Sequence, residues 1–200
     1  MQQEITQFYI CLPYYYIDTE FGIVFIPRIL HRISDLKPLP VDSRYKISRH
    51  IDALFGPDVS KALPPRLEPE YSRRTGRIKN FGMDGKLAAT LRTDGGLALT
   101  IFGAQYLLDR SEAFIENCVV PSGDAIPFVS EGRSLFCKHV ERCGSNVLPG
   151  SDVAVIDERK VIAIGVSLLP GPLMNRFSRG VAIKVREGLR SRSKPTADKN

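Results

Sequence analysis

The chain has 200 residues, 43% of them hydrophobic and 25% charged, a composition that calls for a packed core and excludes a wholly disordered chain. Lysine plus arginine number 28 against 22 acidic residues, and the resulting +6 favours a polyanionic partner without establishing one, since many basic soluble proteins bind no nucleic acid. Cys11, Cys118, Cys137 and Cys143 form no CxxC pair, no signal-peptide pattern opens the chain, and the N-terminal apolar runs stop at Pro13 and Pro27, so a cytoplasmic protein with reduced thiols and no membrane contact is expected.

Residues 1–40 alternate apolar patches with Pro13, Pro27, Pro38 and Pro40, and Phe21–Ile26 reads as a strand from its β-branched and aromatic content. Tyr9, Tyr14, Tyr15 and Tyr16 fit either a strand or an interaction surface. From Ser43 the apolar positions Ile47, Ile51, Leu54 and Phe55 recur at helical spacing, and Gly56-Pro57 ends the pattern. Pro64-Pro65 followed by Leu67–Glu70 reads as an extended connector, because proline fixes its own backbone and pushes its predecessor away from helix.

Arg77–Met83 and Lys86–Arg92 flank Asp84-Gly85, a dipeptide suited to a tight hairpin turn with positive φ at both central positions. Asp94-Gly95-Gly96 turns into Leu97–Ile101, and Gly103–Leu108 then reads as a helix across a three-stranded sheet. Beyond Cys118–Val120 comes a Pro-Ser-Gly-Asp turn, a short helix over Ala125–Glu131 capped by Gly132, and a strand over Ser134–Val140. Val153–Ile156, Val161–Leu168 and Val181–Arg186 follow, separated by Pro-Gly and charged turns, and strands at this interval argue for a barrel or sandwich. The expected organisation is an N-terminal region of uncertain fold (1–66), a small α+β domain (67–116), a β pseudobarrel (117–189) and a disordered polar tail (190–200).

The ordered set Asp124-Ala125-x-x-Phe128-Val129-x-x-Gly132-Arg133-Ser134-Leu135-Phe136, Pro149-Gly150-Ser151-Asp152-Val153 and Ile162-Ala163-Ile164-Gly165 resembles a PUA domain, the RNA-binding pseudobarrel of pseudouridine synthases and archaeosine enzymes. The closing run from Phe177 to Gly188, with Ser72–Ile78, Thr90–Gly95 and Leu99–Ala104 before it, resembles the C-terminal part of archaeal tRNA-guanine transglycosylases and archaeosine synthases. The resemblance implies an α+β fold, a small pre-PUA domain followed by a PUA pseudobarrel. Residues 1–44 share in no such likeness. The family's chemistry sits in a (β/α)8 barrel of about 250 residues, which cannot fit here beside two other domains. Its zinc-binding cysteine cluster and the Pro-Cys and Lys-Pro-Tyr motifs of the synthase core are missing as well. The resemblance thus implies a chain that is no enzyme by itself, needs no cofactor, and docks tRNA or another structured RNA for a separately encoded transglycosylase or archaeosine-synthase subunit. A subunit of a split transglycosylase and a protein-interaction module are the alternatives.

The resemblance places Gly132, Arg133, Ser134, Phe136, Lys138, Lys184 and Arg186 near the acceptor end of tRNA. Backbone N–H groups at a glycine-bounded turn can hold phosphates, and Gly132-Arg133-Ser134 has that composition, although Gly132 alone is explained by a helix cap. Phe136 fits either the core or an exposed face shared with Ser134 and Lys138. Arg73, Arg74 and Arg77, with Lys79, form a second basic cluster that fits phosphate contact or a solvated loop equally. Cys137, His139 and Cys143 lack the fourth ligand of structural zinc and read as packing residues.

Overall fold

The computed structural model describes residues 8–11, 14–19, 22–26 and 42–191, and the chain divides into two compact units, 1–41 and 42–200. In the first unit β1 (Phe8–Cys11), β2 (Tyr14–Thr19) and β3 (Gly22–Ile26) form an antiparallel meander in that order. The expected strand at Phe21–Ile26 is β3, and the tyrosines of the Tyr-rich start lie on β1 and β2.

The second unit opens with α1 (Ser43–Phe55), whose first turn is fixed by Asp42 accepting from the Arg44 N–H at 3.1 Å. It ends where Gly56 takes φ +106°, and it buries Ile47, Ile51 and Phe55. Although expected in an N-terminal region reaching residue 66, this helix packs into the same core as the sheet that follows it. That sheet comprises β4 (Glu68–Tyr71), β5 (Ile78–Met83), β6 (Lys86–Leu91) and β7 (Leu97–Leu99), in chain order and antiparallel throughout. The segment read as a connector is therefore an edge strand: Pro69 has no N–H to donate, which an edge position tolerates. The Asp84-Gly85 hairpin forms as expected, with φ of +51° and +70° at its two central residues. Thr100 ends β7 early because its Oγ1 accepts from the Gly103 N–H and starts α2 (Ile101–Arg110).

The larger sheet contains β8 (Cys118–Pro121), then, after α3 (Ile126–Ser130), β9 (Leu135–Phe136), β10 (Val140–Cys143), β11 (Asp152–Asp157), β12 (Lys160–Ser167) and, after the short α4 (Gly171–Met174), β13 (Val181–Gly188). Its order is β10-β8-β11-β12-β13-β9, with only β8 and β11 parallel. The two edge strands are consecutive in the chain and joined by a 3₁₀ turn, Cys137–His139, which brings the sheet round into a pseudobarrel. The single strand expected over Ser134–Val140 is thus two short strands on opposite edges. The chain must leave β13 and reach β8, and the turn that carries it across buries Cys137 inside the barrel.

Alternation along β11 shows why its sequence is apolar throughout. Val153 and Val155 face the barrel core, whereas Ala154 and Ile156 join the core beneath α2 and α1. Gly103 lets α2 approach the smaller sheet, since a Cβ there would lie 2.2 Å from the Ala88 carbonyl oxygen. The expected α+β architecture, a small sheet-and-helix domain followed by a pseudobarrel, is the observed one. Of the expected tail, Arg190 and Ser191 are bonded to the barrel, through Arg190 N to Ser130 O and Ser191 Oγ to Gly188 O, and residues 192–200 lie outside the described residues.

Candidate nucleic-acid interface

One face of the pseudobarrel carries a cleft of about 380 Å³ between α3, β9 and the 3₁₀ turn. Its walls are the rings of Phe128 and Phe136, 51% and 48% exposed although both are large apolar groups. Arg133 lies over the Phe128 ring with its guanidinium carbon 5.2 Å from the centroid, and Lys138 stands exposed on the turn. Ser134 is part of the lining. Also in its lining, Asp124 Oδ2 is 3.2 Å from His139 Nδ1, and Ser122 Oγ donates to Asp124 Oδ1. The Ser122 hydroxyl first, and the neighbouring His139 ring less strongly, hold the Asp124 carboxyl below the usual carboxylate range.

The sequence-predicted residues Arg133, Ser134, Phe136 and Lys138 meet in this cleft. Gly132, at φ +97°, does not line the cleft, and the expectation that N–H groups of its turn hold phosphate needs correcting. Gly132 N donates to Val129 O and Arg133 N to Phe128 O, the paired bonds that close a helix C-terminus, so both donors are spent within the chain. An anion here would meet side chains.

Two family models match the chain: the PUA domain over residues 119–189, and the patch-forming domain C2 of tRNA-guanine transglycosylase over residues 46–113. A PUA domain spans residues 119–189. Among curated proteins, tRNA-guanine(15) transglycosylase of Methanobrevibacter smithii is 33% identical over 165 residues, covering 80% of this chain and 25% of the relative. That of Thermococcus kodakarensis is 33% identical over 155 residues, covering 76% of this chain and 26% of the relative. The chain therefore spans about a quarter of the length of these archaeal relatives, in their C-terminal part. A hypothetical protein of Pyrococcus horikoshii has the same fold at TM-score 0.59 and 20% identity, over 74% of this chain and 90% of its own. A PUA-domain structure from Aeropyrum pernix gives 0.53 and 17%, over 73% of this chain and 81% of its own.

Lys184 and Arg186 lie on β13 of the PUA domain and do not line the cleft. Lys184 is exposed. Arg186 has a different occupation from the one expected: its guanidinium donates to both carboxylate oxygens of Asp152 and, at 2.7 Å, to Leu99 O on β7. Asp152 in turn accepts the Leu99 N–H at 2.8 Å. The pair therefore satisfies the edge of the C2-like sheet and fastens it to the PUA barrel, and the hydrogen bond to Asp152 raises the Arg186 pKa further. Gln105 makes a second fastening, donating to Arg159 O and accepting from Val161 N.

In the C2-like domain a groove of about 750 Å³ runs between α1 and the sheet, lined by Lys46, His50, Arg74, Arg77, Lys79 and Arg92. Arg74 and Arg77 sit on a tight turn closed by Gly76 N to Ser72 O and Ser72 N to Arg77 O, whereas Arg73 is exposed outside the groove. Lys46 on α1 and Arg92, which is ion-paired with Asp94, add to this basic surface, which sequence reading left incomplete. Among the described residues no group of three metal-ligating side chains gathers, and no helix is long and apolar enough to cross a membrane. Burial pushes the Cys118 thiol up to about 12 and that of Cys143 up to about 11, so neither is a thiolate nucleophile at neutral pH.

Proposed function

We propose that this chain binds tRNA, taking the acceptor stem and CCA end in the PUA cleft, and presents it to an archaeosine-type transglycosylase whose catalytic domain is carried by a separate polypeptide. The observation that carries the reading is the cleft itself: two half-exposed phenylalanines beside Arg133 and Lys138, in a PUA domain joined to a C2-like domain. Exposed rings that gain nothing from water stack on unpaired bases, at about 1–3 kcal/mol each, while the cations take the flanking phosphates. The groove of the C2-like domain, with Arg74 and Arg77, takes a further stretch of backbone, which adds affinity without sequence information. In this reading the chain supplies grip and placement, and bond breaking belongs to the partner.

Titration of unmodified tRNA at low salt tests it. Phe136→Ala and Arg133→Ala are each expected to weaken binding roughly fivefold to tenfold, corresponding to about 1–1.4 kcal/mol. Absence of binding by the unsubstituted chain, or affinity unmoved by both substitutions, overturns the reading. For the partner, adding this chain to a transglycosylase catalytic domain that lacks a PUA domain is expected to lower the KM for tRNA and leave base exchange dependent on that domain.

A further inference from the structure

The cleft contains a group that gripping a phosphate backbone does not explain. Asp124 sets a carboxylate, its side chain 68% exposed, in the same cleft as Arg133 and Lys138. Such a charge repels the phosphates that the two cations attract. It is not there as a helix cap either, because α3 starts without any side-chain cap hydrogen bond. Its oxygens are instead directed by Ser122 Oγ and His139 Nδ1, and Ser122 Oγ also lies 3.3 Å from that same ring nitrogen.

The proton positions follow. An ionised carboxylate only accepts, so the His139 Nδ1 facing it carries a proton. Each Asp124 oxygen has accepted one hydrogen bond and has capacity for another. The lining of the cleft thus combines two cations and two aromatic rings with the carboxylate acceptors of Asp124, held in place by Ser122 and His139.

We infer that the Asp124–His139 pair is the base-reading element of the cleft, selecting an unpaired nucleobase that carries an exocyclic amino group. The inference rests on the cleft binding RNA as proposed above. Cytosine presents an N4 amino donor at the edge where uracil presents the O4 acceptor, and a carboxylate accepting from cytosine N4 is an established pairing chemistry. Uracil in the same place would set its carbonyl oxygen against a carboxylate, leaving both without a donor, and sites built for a hydrogen bond discriminate strongly against the analogue that lacks it.

Fluorescence anisotropy with short single-stranded oligocytidylate and oligouridylate tests this, the two pyrimidines being chosen because they stack similarly. The full chain is expected to bind the cytidine oligomer roughly tenfold tighter. Asp124→Ala and His139→Ala, both at partly exposed side chains, are expected to bring the ratio towards one, whereas Arg133→Ala weakens both oligomers and preserves it. Equal affinities in the unsubstituted chain, or a preference that survives Asp124→Ala, overturn the inference. So does tRNA binding without binding of either oligomer. Failure to bind tRNA as well overturns the RNA reading, and this inference falls with it.

Discussion

Asp152 has a side chain only 2% exposed, yet it sits where two sheets meet and answers two demands, the Arg186 guanidinium and the Leu99 N–H. Removing it strands a cation and a strand-edge donor together. Asp152→Ala is therefore expected to lower the unfolding free energy by on the order of 3 kcal/mol, read as a lower urea midpoint with an unchanged slope. Arg133→Ala, at an exposed site, should stay within about 0.5 kcal/mol of the unsubstituted chain. A midpoint unchanged by Asp152→Ala would show that the seam does not depend on this pair. The same residues show what could be read from one chain. Arg133 and Phe136 were named only through the resemblance, and alternation left Phe136 open between the core and an exposed face until the structure set it opposite buried Leu135. Arg186 was misplaced because alternation gives it the same face as Lys184, while the carboxylate that claims it is 34 positions away in the chain. Asp124 and His139 went unrecognised as site residues for the same reason, being brought together by the closing turn and not by any periodicity.

At the scale of elements, local patterns carried the helices and hairpins and failed where the partner was remote. The Asp84-Gly85 turn and the end of α1 at Gly56 follow from backbone preferences of residues in immediate sequence, and both are where expected. The strand β4 was hidden by its proline, and the break between β9 and β10 is dictated by barrel closure, which no window of a few residues encodes. The contact between α2 and β6 belongs to this second kind, since Gly103 looks like an ordinary weak point in a helix until the sheet is placed beneath it. Alanine would raise helix propensity by about 1 kcal/mol on its own. Its Cβ, however, would meet Ala88 O at 2.2 Å, a backbone atom fixed in the sheet ladder. Gly103→Ala is thus expected to destabilise the fold by about 1–3 kcal/mol, against the propensity trend, and thermal unfolding followed by circular dichroism decides the sign. A raised midpoint would mean that α2 does not press on the sheet as described.

Across the second unit, the fastenings at Asp152–Arg186 and Gln105 hold the PUA barrel and the C2-like sheet to each other, so the cleft and the groove are carried on one body. An RNA that reaches both gains from the second contact being intramolecular once the first is made. An RNA that fills only the cleft does not. The two basic sites can therefore be told apart by ligand length and salt. Each phosphate contact contributes a slope of about 0.7–0.9 to the fall of log affinity with log salt, so the Arg74→Ala/Arg77→Ala double substitution should reduce the slope for tRNA by about 1.4–1.8. The same double substitution should leave the affinity of a short oligocytidylate unchanged within about twofold, because separated sites without shared partners act independently. An unchanged tRNA slope would assign the arginines to a solvated loop. A reduced slope for the short oligomer too would mean that the groove, and not the PUA cleft, is where single strands first engage.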